Sequence, residues 1–146
     1  MARHEVLRPQ AWEWPGPRVL LEERDGKHVR ARIDALRRAG FAVGVCFGPT
    51  EEDHCPLAGD EGCAAAHGAD VVVSSLGLES VEAREALGAL RTRLPQLPVL
   101  VEADAAAALR WPGLVPRGDR LEPGIGPSEL VERVEAAIAR ESDLHD

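Results

Sequence analysis

Four short apolar runs, separated by stretches that include segments of helical spacing, set the strongest limit on what this chain can fold into. The runs are RVLLEE (18–23), FAVGVCF (41–47), ADVVVSSL (69–76) and PVLVEA (98–103). Each is rich in valine or leucine and short of alternating polar residues, which is the pattern of a strand covered on both faces. Between the first two runs, GKHVRARIDALRRAG (26–40) places Val29, Ile33 and Leu36 on one helical face, and Gly40 stands where a helix-ending glycine belongs. After the third run, Ser80 is placed to cap a helix in which Ala83, Leu87, Leu90 and Leu94 keep helical spacing. An alanine-rich segment over about 104–110 reads as a short helix. PSELVERVEAAIARE (127–141) opens on Pro127 at the first helical position and carries the stripe Leu130, Val131, Val134, Ala137, Ile138. Any fifth strand must lie within GLVPRGDRLEPGIG (113–126).

Alternation of this kind implies right-handed βαβ units and a parallel sheet with helices on both faces. The expectation is an α/β domain of flavodoxin-like form, with five parallel strands and a site at their C-terminal ends. The 146 residues suit one core, and 45% hydrophobic with 29% charged residues is a globular composition. The domain is placed at 18–146. Residues 1–17 have no clear period and read as an N-terminal arm packed through Trp12 and Trp14.

The formal net charge is −8. That balance argues against nucleic acid and against anionic membrane surfaces as partners. No apolar run approaches the ~20 residues of a membrane-spanning helix, and the N-terminal stretch lacks the apolar core of a secretion signal. The expected location is therefore cytoplasmic, where clustered cysteines are more often metal ligands or reactive thiols than stable disulfides.

The order of pieces from about 18 to 141 resembles the receiver domain of bacterial response regulators, the CheY-like fold. RVLLEERDG is similar to the first strand and its acidic loop, and LRRAGFAV to the first helix entering the second strand. GADVVVSSLGLES resembles the third strand and the loop after it, LPVLVEA the fourth strand, and LEPGIGPSELVERVEAAI the fifth-strand end and last helix. The resemblance implies a pocket in which an aspartate at the third-strand end accepts a phosphoryl group. Acidic residues after strand one would hold Mg²⁺ there, with a hydroxyl after strand four and a lysine after strand five. In this sequence the acceptor position is Ser75, and a serine cannot form an acyl phosphate. The acidic loop keeps Glu23 and Asp25 but sets Arg24 between them as a built-in cation; alternatively these are ordinary solvated loop residues. The hydroxyl position is Ala103, and the lysine position is Glu122, or Arg117 on another alignment. The expectation is a receiver-like fold with a degenerate phosphorylation pocket.

All three cysteines fall in one segment, CFGPTEEDHCPLAGDEGCAAAH (46–67), longer than the matching part of a typical receiver. Cys63 and His67 are four residues apart on a short expected helix, so both can face one ion. Cys46 ends a strand and Cys55 precedes a proline. Cys46, Cys55, Cys63 and His67 would complete a tetrahedral shell for a structural zinc, with His54 as an alternative fourth ligand. Three thiolates could also hold an iron–sulfur cluster. Two readings stand beside metal: an oxidation-responsive thiol pair or disulfide, and plain packing. The neighbouring acids Glu51, Glu52, Asp53 and Asp60 oppose thiolate formation, which favours metal over redox thiols.

PGIGP (123–127) lacks the Lys-Ser/Thr end of a phosphate loop and reads as a turn. No nucleophile elbow or acid–base constellation is visible, so no enzyme is expected. Two functional expectations remain. One is a signalling module that acts by contact with a protein partner without aspartyl phosphorylation; the resemblance implies pairing of two copies through the fourth helix, fifth strand and fifth helix. The other is a metal-binding or redox-responsive sensor built on the 46–67 segment.

Overall fold

A computed structural model describes residue 12 and residues 16–24, 26–52, 54–59 and 62–145. The described elements alternate as the apolar runs require. Strand β1 is Arg18–Glu22, helix α1 Gly26–Arg38, β2 Ala42–Cys46, α2 Ala64–His67, β3 Val71–Ser74, α3 Val81–Arg93, β4 Val99–Glu102 and α4 Ala105–Arg110. A 3-10 turn, Arg117–Asp119, leads into the two-residue β5, Arg120–Leu121, and α5 is Pro127–His145. The five strands form one parallel sheet in the order β2-β1-β3-β4-β5. Parallel neighbours need crossovers, and the helices supply them on both faces. The five-stranded flavodoxin-like reading is the observed fold.

Both faces of the sheet are buried, which is why its strands read as continuous apolar runs rather than alternating ones. Val19, Leu21, Val45, Val71, Val73, Leu100 and Leu121 meet α1 and α5 through Val29, Ile33, Leu36, Leu130, Val134 and Ala137. On the other face, Leu20, Val72, Val99 and Val101 meet Leu57, Ala65, Ala66, Leu87 and Leu90. Side chains two apart on one strand share a face, so this sorting follows directly from chain order.

The ends of the elements follow local chemistry. Ser80 accepts the Ala83 amide at 3.2 Å at the start of α3, and Asp104 accepts the Ala107 amide at 2.8 Å at the start of α4. Gly40 has φ +100°, the left-handed turn that lets the chain leave α1 and enter β2. The fifth strand was the least legible because it is only two residues long, held by Val101↔Arg120 and Glu102↔Leu121 pairing.

Trp12 crosses to the body: its indole N–H donates to the Ala65 carbonyl at 2.9 Å, and Arg18 lies 5.9 Å from its ring. Gly68 makes room for that ring, since a Cβ there would stand 2.4 Å from Trp12 Cδ1. Trp14 lies outside the described residues.

Leu100 is fully buried at the centre of the sheet. Leu100→Ala is expected to cost about 2–5 kcal/mol in urea unfolding. Ser80→Ala removes one cap and is expected to cost about 1 kcal/mol in the same assay.

Candidate functional site

At the C-terminal edge of the sheet, one guanidinium gathers the groups around it. Arg32 lies on the inward face of α1, between Val29 and Leu36, and its side chain is 5% exposed. Its Nη1 donates to Glu23 Oε2 at 3.3 Å, to Ser75 Oγ at 3.2 Å and to Glu102 Oε1 at 2.9 Å. Its Nη2 donates to Glu102 Oε2 at 3.1 Å and to the Ile125 carbonyl at 3.4 Å. Glu102 is thus held by a two-pronged pair, and its Oε2 also accepts the Gly124 amide at 2.6 Å. Three strand ends and the 123–127 turn meet on one cation.

The charges respond to this geometry. Burial alone would raise the Glu102 carboxyl, but hydrogen bonds from Arg32, Ser75 and Gly124 outweigh it and hold the group below the usual carboxylate range. For Glu23 burial wins over Arg32, and its carboxyl is raised. A cavity of about 500 Å³ opens above the cluster, lined by Glu23, His28, Arg32, Ser75, Glu102 and the 123–127 turn.

The residues expected from sequence divide sharply. Glu23 and Ser75 are in the cluster. Arg24 is exposed and turns the other way, donating to the Phe47 carbonyl at 3.2 Å and to the Pro49 carbonyl. The cation at the centre is Arg32 instead. Ala103 is buried among apolar side chains on the opposite face. Glu122 is exposed and pairs with Arg120 at 2.7 Å. Arg117 is exposed in the turn before β5. Asp25 lies outside the described residues.

Arg32 and Glu102 were missed, yet the first had a signal. An arginine at i+3 from Val29 and i−1 from Ile33 stands inside the apolar stripe of α1, where a charge must find partners.

The cysteine segment builds a second cavity, of about 190 Å³, on the α2–α3 face of the sheet. Cys46, Cys55 and Cys63 all line it; all three are half-buried, and none is joined in a disulfide. His54 lines it as well, whereas His67 is exposed on α2 and is not part of its wall. Among the described residues no group of three or more His, Cys, Asp or Glu side chains is arranged to hold a metal ion. Of the expected zinc set Cys46, Cys55, Cys63 and His67, the three cysteines share this wall and His67 stands outside it, with His54, the alternative fourth ligand, inside. Asp53 and Asp60 lie outside the described residues. Burial pushes the Cys55 thiol up, and Glu22 and Cys63 push it the same way.

Glu22 lies in the same wall. It is 6% exposed, its Oε1 has no hydrogen-bond partner, and Ser74 hydrogen-bonds its carboxyl. Burial pushes its pKa from 4.5 up to about 7. Sequence reasoning passed over it, although Leu20 and Glu22 share a face of a strand buried on both sides, so an acid there had to be enclosed.

Two outcomes follow. Arg32→Met leaves Glu23 and Glu102 with an uncompensated buried charge and is expected to lower stability by about 3–5 kcal/mol in urea unfolding. Glu22 binds its proton more tightly folded than unfolded. It therefore imposes no cost below about pH 4.5, and destabilises progressively as pH rises towards 7. Glu22→Gln is expected to raise stability at pH 8, by on the order of 3 kcal/mol, and to change little near pH 4. Urea titrations of both proteins across that range measure it; the Glu102 contribution falls at the acid end and is common to both.

No protein-family model matches the sequence, and no curated protein matches it. Solved structures do. A CheY-like receiver domain protein from Methanospirillum hungatei is similar with a TM-score of 0.67 and 15% identity, covering 88% of this chain and 98% of that one. The receiver domain of the Francisella response regulator 1452 has a TM-score of 0.62 and 20% identity, covering 86% and 98%. The receiver domain of nitrogen regulatory protein C in its apo form has a TM-score of 0.63 and 23% identity, covering 85% and 95%. With the strand order and the crossovers, these likenesses show that the chain has the CheY-like fold of response regulator receiver domains.

Proposed function

We propose that this chain is a degenerate receiver-like signalling module that acts by contact with a protein partner, without aspartyl phosphorylation. The observation that carries this reading is the position of Arg32. In the receivers this fold resembles, the strand ends leave a pocket for a metal ion and a phosphoryl group. Here the equivalent region holds a guanidinium bound to Glu23, Ser75 and Glu102. A fixed cation between two carboxylates neutralises the charge that would otherwise attract Mg²⁺. Ser75 offers a hydroxyl where an acyl phosphate needs a carboxylate. The pocket is therefore set in one state, and its signalling output would depend on the amount of protein or on what binds elsewhere. Two copies joined through α4, β5 and α5 are one form this contact can take, and sedimentation equilibrium tests it.

Among the described residues, no helix is long and apolar enough to cross a membrane. A location in the cytoplasm belongs to the same proposal.

A second reading, a metal-binding or oxidation-responsive sensor on the 46–67 segment, is favoured by one observation: the three thiols line a single cavity. It would require the loop to draw its ligands closer than they stand.

Incubation with acetyl phosphate and Mg²⁺ is expected to leave no acid-labile phosphate on the protein. Incorporation that disappears on replacing a single aspartate would overturn the first reading. Metal content and free thiols of protein purified under reducing conditions test the second: about one zinc per chain with shielded thiols supports it, and three freely titrating thiols without metal remove it.

A further inference from the structure

Among the described residues, two large apolar side chains are exposed, Val81 at 49% and Leu109 at 82%. Each stands close in sequence to an arginine, and the two arginines lie over one indole. Arg84, three residues on from Val81 in α3, has its guanidinium carbon 4.9 Å from the Trp111 ring centroid. Arg110, next to Leu109 at the end of α4, has its own 4.6 Å from the same centroid. Neither arginine forms an ion pair with a carboxylate of the described residues. The acids nearby in sequence are Glu79, Glu82, Glu85 and Asp104. Glu82 accepts the Ser80 hydroxyl at 2.9 Å and Asp104 accepts the Ala107 amide at 2.8 Å, while Glu79 and Glu85 are exposed. Helix α4 buries none of its six residues and carries no polar side chain from 105 to 109. Tryptophan and arginine dominate the energetics of protein interfaces, and an indole face holds a guanidinium ready at little entropic cost. Arg84 Nη1 also donates to the Leu78 carbonyl at 2.7 Å and the Glu79 carbonyl at 3.3 Å, which ties this patch to the loop that follows Ser75.

We propose that the α3–α4 surface around Trp111 is the docking site for an acidic, leucine-bearing segment of a partner protein. Its carboxylates pair with the guanidiniums of Arg84 and Arg110, and its aliphatic side chains cover Leu109 and Val81. Charge complementarity selects an acid. Two cations over one ring repel each other, a carboxylate between them removes that repulsion, and a basic segment would add to it. Two-pronged pairing with a guanidinium also fixes the orientation of the segment. The inference rests on the reading of this chain as a module that acts by protein contact, and gives that contact a surface and a chemistry. It engages α3, which the pairing of two copies through α4, β5 and α5 does not.

The probe is a displayed library of short random peptides selected against the full chain. Enriched peptides are expected to combine two or more acids with a leucine or phenylalanine. The best of them, synthesised with a fluorescent label, is then titrated by anisotropy. Leu109→Ser and Arg110→Glu change exposed side chains, and each is expected to weaken that peptide by roughly tenfold or more. Added salt is expected to weaken it as well, because the pairs lie at the surface. A peptide with lysines in place of its acids is expected to bind Arg110→Glu better than it binds the parent. Circular dichroism and melting temperature confirm that both variants are folded; if one is not, the other decides. Enriched peptides without acids, or binding that the folded variants leave unchanged, overturn this surface while leaving contact with a protein elsewhere intact. A library that yields no binder overturns it too. Acid-labile phosphate on an aspartate is, by contrast, the failure of the wider reading. A dimer in sedimentation equilibrium that Leu109→Ser dissociates identifies a second copy as the occupant and overturns the acidic partner.

Discussion

A single buried guanidinium organises the functional edge of this domain. Arg32 projects from α1 into the place where the ends of β1, β3 and β4 converge, and it meets a side chain from each. Two carboxylates brought that close without a cation would repel each other in a poorly solvated setting. With Arg32 between them, each has a partner, and Glu102 is further pinned to the 123–127 turn by the Gly124 amide. The turn precedes Pro127, the first residue of α5. A surface ion pair is worth little, but here the groups are enclosed, so removing one member strands the others. The same arrangement holds the 123–127 turn in register with the strand ends.

The fold was legible because both faces of a parallel sheet must be covered. That requirement writes long apolar runs for the strands and single apolar stripes for the helices, and both patterns survive in a sequence without any family motif. Val29, Ile33 and Leu36 read as one face and are one face. Ser80 and Pro127 read as helix starts and are helix starts. The site was less legible for a physical reason. Its members come from 23, 32, 75 and 102, and only the crossovers bring them together. Neighbourhood in sequence favoured Arg24 as the internal cation, since it stands beside Glu23. One residue of difference on an exposed loop turns the side chain to the Phe47 and Pro49 carbonyls instead. The better clue was a charge in a stripe of apolar residues, because burial forces such a charge to find company.

The cysteine segment shows the same limit from the other side. Spacing alone joined Cys63 to His67 through the turn of a helix. The helix exists, as Ala64–His67, but it packs Ala65 and Ala66 inward and leaves His67 exposed. The three thiols are brought together by the loop that folds Leu57 into the core, a contact no local pattern announces.

Glu22 and Glu23 make the sharpest contrast in the molecule. They are consecutive, and the two-residue period of a strand sends them to opposite faces of the sheet. Glu23 meets a fixed cation on the α1 face. Glu22 meets thiols and aliphatic carbon on the α2–α3 face, with one oxygen unused. Burial raises both carboxyls, but only Glu23 has Arg32 to oppose the rise. Both acids sit where β1 is tied to its neighbours, by Glu23 N–H to the Cys46 carbonyl at 3.0 Å and Ser75 N–H to the Glu22 carbonyl at 2.7 Å.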